Sequence, residues 1–267
     1  MEVDSKKILE IQSKILSWYE INKRELPWRN THNPYYIHLS EIMLQQTQVK
    51  RVIEYYNKFT MFYPSLEDMA QAPKSDLLSH WIGLGYNNRI LRLQKSAQSI
   101  LENYEGKYPK DQKELQKLPG VGIYTSGAIL AFAFNIESIV VDTNIRRILI
   151  YEFNLDENIS QKELEELAEK ITPKEKAREW NNALMDYGSM EITAKKSKIK
   201  SKGKQSKFVG STRWVRSNIL KKLLNEKKLS IRDLSVEYET YDIDLILEKM
   251  QKDELIVIQG DQIVLAN

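Results

Sequence analysis

From Ile8 to Tyr104 the apolar residues recur at intervals of three and four, and nowhere in that stretch do they alternate with period two. A chain patterned this way buries its apolar stripes by packing helix on helix. Ile8, Ile11, Ile15 and Leu16 give a first amphipathic helix. Pro27 and Pro34 bracket a loop, and a helical pattern runs from His38 to Phe62. The corner Gly83-Leu84-Gly85 leads into a helix over about Asn88 to Tyr104.

The next segment reads as helix, hairpin, helix. Leu118-Pro119-Gly120-Val121-Gly122 stops one helix with proline and turns the chain on glycines, and a second helix begins near Ile123. Backbone amides at such a helix start bind phosphate oxygens. On residues alone, the same turn also serves as an ordinary helix connection. Val140-Val141-Asp142-Thr143-Asn144 then places a carboxylate at a helix start, where Asp142 is either a cap or a working acid. Further helices fall at about 144–151, 161–171 and 177–187.

Composition narrows the class. With 42% hydrophobic residues in 267, the chain has material for a real core. It has no cysteine, so disulfides, thiolate zinc sites and iron–sulfur clusters have no ligands. No run of about 18 apolar residues occurs, and the amino terminus continues into an amphipathic pattern. A soluble, cytoplasmic protein without membrane association is expected, nucleoid-associated in a prokaryote. Charge is uneven: Ile192 to Asn225 holds nine Lys, two Arg and no acid, against a total of +3. Such a segment is either a solvated linker or a surface for a polyanion. Thr193 to Lys207 is read as loop or linker. Beyond it, three helical patterns and a hairpin, Leu255–Ile258 and Gln262–Leu265 about Gly260, match the winged-helix arrangement. From Leu229 onward that segment is strongly acidic.

Leu118 to Thr125 followed by Asp142 resembles the helix-hairpin-helix DNA glycosylase superfamily, which contains endonuclease III and MutY. Leu26-Pro27-Trp28-Arg29, Leu39-Ser40-Glu41-Ile42-Met43-Leu44-Gln45-Gln46-Thr47-Gln48-Val49, Trp81-Ile82-Gly83-Leu84-Gly85-Tyr86 and Met185-Asp186-Tyr187-Gly188 are similar to the MutY branch, the adenine glycosylases. The resemblance covers roughly residues 8 to 210. It implies an all-α, two-lobed glycosylase fold: a six-helix lobe over about 29–135 and a second lobe from 1–28 with 136–210. The helix and hairpin pattern beyond it sets 211–267 apart as a small winged-helix-like domain.

The resemblance also assigns roles. Glu41 would protonate the leaving adenine, and Asp142 would stabilise the sugar cation and position water. Its apolar neighbours Ile37, Leu39, Ile42, Met43 and Leu44 predict a raised pKa for Glu41. Tyr124 stands where bifunctional relatives have the Schiff-base lysine, so a monofunctional hydrolase is implied. Gln46 and Tyr86 match residues that enter the duplex, Thr47 and Leu84 match contacts to 8-oxoguanine, and Gly120 and Gly122 match the phosphate-binding hairpin. Trp28, Arg29 and Asp186 match residues around the extruded base. The implied partner is double-stranded DNA with an A:8-oxoguanine or A:G mispair, bound by a monomer.

Two departures accompany the resemblance. Relatives ligate a four-iron cluster with cysteines at positions matching Ile192, Ile199, Lys202 and Phe208, so no cluster is expected, and Ile192, Ile199 and Phe208 are expected to pack together in its place. The residues after Ser211 are too few for the Nudix-like domain of many relatives. Two rival readings remain: a thymine or uracil glycosylase acting on G:T or G:U mismatches, from which Gln45-Gln46-Thr47-Gln48 argues away, and a non-catalytic DNA-binding protein, against which the retention of both Glu41 and Asp142 argues.

Overall fold

The computed structural model describes residues 4–138, 141–199 and 207–266. In chain order its helices are α1 (Ser5–Asn22), α2 (Pro34–Leu44), α3 (Val49–Phe62), α4 (Leu66–Gln71), α5 (Lys74–Trp81), α6 (Asn88–Asn103), α7 (Gln112–Gln116), α8 (Ile123–Phe134), α9 (Thr143–Phe153), α10 (Gln161–Lys170), α11 (Ala177–Met190), α12 (Ala194–Ser197), α13 (Thr212–Glu226), α14 (Ile231–Glu237) and α15 (Ile243–Lys252). A 3-10 turn (Pro27–Arg29) and three short strands, β1 (Lys228–Ser230), β2 (Ile256–Gln259) and β3 (Gln262–Leu265), complete the described elements.

Local chemistry sets many of the boundaries. Ser65 with Asp68, and Ser160 with Glu163, form reciprocal capping boxes that open α4 and α10. Asn135 and Asn154 close α8 and α9 in the left-handed conformation that asparagine tolerates. The sequence pattern carried one helix from His38 to Phe62, but the chain breaks it into α2 and α3. Gln46 sits in the gap at φ 57°, with no glycine or proline to announce it.

The chain forms two compact units, residues 1–41 with 108–204 and residues 42–107 with 205–267. In the first, α1, α9, α10 and α11 enclose a core of Ile11, Ile15, Ile148, Leu149, Leu167, Trp180 and Leu184. In the second, α3 to α6 bury Val52, Phe59, Leu77, Trp81, Ile90 and Leu93. Phe59 meets Trp81 edge to face with ring centroids 5.6 Å apart.

These units are drawn differently from the lobe boundaries expected near 28, 135 and 210. The physical reason lies in two packings: α8 lies on α11, and α13 lies on α5. The carboxyl-terminal segment falls in the same compact unit as α3 to α6. Its order, α13-β1-α14-α15-β2-β3 with an antiparallel sheet β1-β3-β2, is winged-helix topology. Ile258 pairs with Ile263 across the expected hairpin, and Gly260 turns it at φ 60°. β1 is three residues long and adds Leu229 opposite Ile263. It has no sequence signature of its own.

Of the segment read as linker, residues 200–206 lie outside the described residues, and α12 with its Thr193 cap is a short helix.

Candidate active site

Glu41 lies on α2 among Leu39, Ile42 and Met43, each buried. The residue is itself 7% exposed, and burial, with the charge of Asp142 added, pushes its pKa up to about 8. At neutral pH it holds a proton. Asp142 sits at the amino-terminal cap of α9, where its Oδ1 accepts from the amides of Asn144 and Ile145 at 2.8 Å each. Its Oδ2 accepts from the Asn144 side chain at 3.1 Å. Burial raises this carboxyl too, but those donors and the Arg147 guanidinium oppose the shift. The net shift at Asp142 is upward, as at Glu41, but only Asp142 has hydrogen-bond donors and a guanidinium that favour its charged form, so the two acids sit in different environments.

Tyr124, in the first turn of α8, feels both. Burial and the charges of Glu41 and Asp142 push its phenol well above the ordinary range, so it stays protonated. The residues expected to share the chemistry therefore share one electrostatic environment.

Arg147 braces this arrangement and had no signal in the sequence. Its guanidinium donates to Asn144 Oδ1 and to the Gly188 carbonyl at 2.8 Å each, and to the Ile192 carbonyl. Gly188 lets α11 approach α9: a Cβ there would stand 3.0 Å from Ile148 Cδ1 and 3.1 Å from Asn144 Cβ.

The same unit brings Arg29 and Asp186 together. Arg29 clasps the carboxylate with two nitrogens at 2.7 and 2.8 Å. Arg24, which sequence reasoning missed, adds its amide at 2.9 Å and its Nε at 2.6 Å. Asp186 is fully buried; burial disfavours its charge, yet these donors hold its carboxyl below the usual range. Trp28 is buried on the 3-10 turn Pro27–Arg29 that also carries Arg29.

The hairpin has the expected form. Val121 N donates to Leu118 O at 3.1 Å, Gly120 takes φ 82°, and Gly122 caps α8 with open space around its Cα. Ile123 beside it is 68% exposed.

In the second unit, Gln46, Thr47, Leu84 and Tyr86 lie on two loops joined by one buried side chain, Arg89. Its Nη1 donates to the carbonyls of Ile42 (2.7 Å), Met43 (3.2 Å) and Gln45 (2.6 Å). Nη2 reaches Leu84 O (3.1 Å), Gly85 O (2.9 Å) and Thr47 Oγ1 (3.4 Å). The cation also faces the Trp81 and Tyr86 rings, and burial pulls its pKa down to about 10. Both Gln46 and Tyr86 sit at positive φ, 57° and 46°. Such backbone persists only where its surroundings over-determine it, and Arg89 supplies that constraint. Gly83 takes φ 106°, a conformation that L side chains rarely adopt, and a Cβ there would stand 2.2 Å from Tyr55 Oη and displace that phenol.

Residues 39–174, which contain the hairpin, both carboxylates and Tyr124, match the family model described as HhH-GPD superfamily base excision DNA repair protein. The chain belongs to the HhH-GPD superfamily. It is 41% identical over 179 residues to an adenine DNA glycosylase of Buchnera aphidicola subsp. Baizongia pistaciae, covering 66% of this chain and 51% of that protein. The chain thus spans about half the length of the curated adenine glycosylases it matches. A thymine/uracil-DNA glycosylase of Methanothermobacter thermautotrophicus is 34% identical over 208 residues, 76% of this chain and 93% of that one. The solved structure of a thermostable thymine-DNA glycosylase superposes with a TM-score of 0.66 at 34% identity, over 72% of this chain and 90% of the other.

This HhH-GPD chain departs from a cluster-bearing member where the resemblance predicts. With no cysteine, a thiolate-held four-iron cluster does not fit. Among the described residues no group of three or more His, Asp or Glu is placed to hold a metal. Ile192 and Ile199 are buried in the core of the first unit. The expectation that Phe208 packs with them is corrected: it is 47% exposed and belongs to the second unit, where its carbonyl accepts from the amide and hydroxyl of Ser211 at the entry to α13. Lys202 lies outside the described residues.

Proposed function

We propose that the chain is a monofunctional DNA glycosylase that hydrolyses adenine from mispairs with 8-oxoguanine or guanine, acting as a monomer on double-stranded DNA. The observation that carries this reading is a protonated Glu41 beside a hydrogen-bonded Asp142. Adenine leaves poorly as an anion and well once a ring nitrogen is protonated, whereas thymine can leave as an anion stabilised on its oxygens. A buried acid that keeps its proton to about pH 8 is therefore suited to the purine.

In this reaction the bond from N9 to the sugar breaks with its electrons going to the base, and Glu41 gives its proton to the base. The sugar becomes oxocarbenium-like, and the Asp142 carboxylate stabilises the cation. Water adds to the anomeric carbon and yields its proton to a carboxylate, leaving an abasic site. The Tyr124 phenol cannot form a Schiff base, so strand cleavage does not follow. Gln46, Thr47, Leu84 and Tyr86 are the residues proposed to read the opposite base once the adenine has left the stack. The 41% identity to an adenine glycosylase supports the choice of base.

The thymine reading draws on one observation, the match to nearly the full length of the archaeal thymine/uracil enzyme. Single-turnover reactions on A:8-oxoguanine, A:G, T:G and A:T duplexes, developed with and without hot alkali, separate the two. Breaks at the adenine mispairs only after alkali are expected. Breaks at T:G would move the chain to the thymine branch, and silence on all four would make it a binding protein.

A further inference from the structure

The winged-helix segment does not present the surface that such folds use on DNA. The helix that would enter a groove, α15, exposes Asp244, Leu245, Glu248, Lys249, Gln251 and Lys252, two acids against two cations. The hairpin tip adds Gln259, Gly260, Asp261 and Gln262 and no cation. Just past α15, Glu254 pairs with Lys95 of α6 at 2.5 Å, and the cap residue Asp253 pairs with Arg216.

The first helix of the segment does something else. α13 packs on α5, and in its first turn Arg213 Nη1 donates to the Tyr86 hydroxyl at 2.6 Å. The guanidinium also lies over the Tyr86 ring, 5.5 Å from its centroid. Arg89 approaches the same ring at 5.7 Å, and its Nε and backbone amide both donate to the Tyr86 carbonyl. Tyr86 is 38% exposed on a left-handed backbone, a ring standing up from a corner. Arg89 fixes the backbone, and Arg213 fixes the tip.

We propose that the carboxyl-terminal winged-helix segment is a working part of the mispair-reading surface, with Arg213 as a positioning residue that holds the Tyr86 ring erect for entry into the duplex. This rests on the proposed role of Tyr86. Holding a free ring in one orientation removes the ordering cost that entry would otherwise carry. The segment thereby acts through its first helix, while Glu254, just past α15, ties it to α6 through Lys95.

The test is a double-mutant cycle in the full chain: Tyr86→Ala, Arg213→Ala and the double variant, read by single-turnover rate and affinity on A:8-oxoguanine duplexes at several salt concentrations. Ring entry is followed by 2-aminopurine fluorescence beside the 8-oxoguanine. Tyr86→Ala is expected to lose about tenfold or more, Arg213→Ala about fivefold, and the double variant no more than Tyr86→Ala alone. Arg213→Gln, which keeps one donor for the phenol, is expected to fall between the parent and Arg213→Ala, and guards against a folding defect in the alanine variant. Losses that multiply, with a salt slope lower by about one whether or not the ring is present, would make Arg213 a phosphate contact and overturn the proposal. A loss in Tyr86→Ala with none in Arg213→Ala overturns this inference alone. No loss in Tyr86→Ala overturns both it and the proposed role of Tyr86.

Discussion

Glu41 is held protonated chiefly by burial, and this carries a cost that depends on pH. Its folded pKa of about 8 lies above the ordinary 4.5, so the unfolded chain releases the proton first. The stabilisation from the protonated carboxyl is complete below about 4.5 and is lost as pH rises to about 8. Glu41→Gln, which keeps the shape and cannot ionise, should gain on the parent by up to about 1.4 kcal/mol per pH unit across that window and stay level above it. Urea unfolding from pH 4 to 9 measures the difference, and a constant gap would mean that Glu41 titrates normally. Base release by the parent should fall above pH 8 as the acid ionises, while Glu41→Gln should be inactive throughout. Part of this was legible: apolar neighbours at 37, 39, 42, 43 and 44 announce a desolvated carboxyl. The contribution of Asp142, a hundred residues on, was not, because no local pattern links them. Arg89 and Arg147 were invisible for another reason: most of their partners are backbone atoms, which every residue has. Arg24 was missed because its partner Asp186 is remote in sequence.

At the scale of elements, the decisive feature is the break between α2 and α3. Helical periodicity runs straight through Gln45 to Gln48, so the sequence shows one helix where the structure has two. What opens the gap is tertiary: the Arg89 guanidinium collects the carbonyls that end α2 together with those of the Leu84–Gly85 corner. Arg89→Met fills similar volume with no donors and leaves those acceptors buried. We expect a loss of about 3 kcal/mol or more in stability, because several buried acceptors lose their donor at once. Binding to an A:8-oxoguanine duplex should fall with it, since both reading loops lose their brace. Arg89→Lys should recover little, as a point charge cannot serve two loops. A melting temperature for Arg89→Met within two degrees of the parent would show that the loops hold themselves. The hairpin and wing, by contrast, were readable, since Pro119, Gly120, Gly122 and Gly260 mark their turns chemically.

Across the whole molecule, the two units divide the work that the sequence presents interleaved. The first holds Glu41, Tyr124, Asp142 and the Arg29–Asp186 pair; the second holds the loops of Gln46 and Tyr86 with the winged-helix segment. This division was not legible, because each unit is built from two separated stretches and only packing reveals which belong together. The positions of lost cluster ligands were legible by spacing, yet only two of the expected three residues pack in one core. Ile192→Ala and Ile199→Ala should each cost about 2 to 4 kcal/mol, the ordinary cost of a cavity in an apolar interior. Neither iron nor a chelator should change the melting temperature of the parent by more than the error of the scan, and a shift on chelation would reveal a metal that the core argument excludes.

Around Ile192 and Ile199 this core closes on aliphatic side chains such as Ile148 and Leu149 of α9 and Leu184 of α11. Such a core is complete when synthesis ends. It needs no assembly machinery, no supply of iron or sulfide and no reducing conditions, and oxidants that dismantle clusters find nothing there to attack. For an enzyme proposed to act on oxidised DNA, the core offers no cluster for the stress that creates its substrate to destroy.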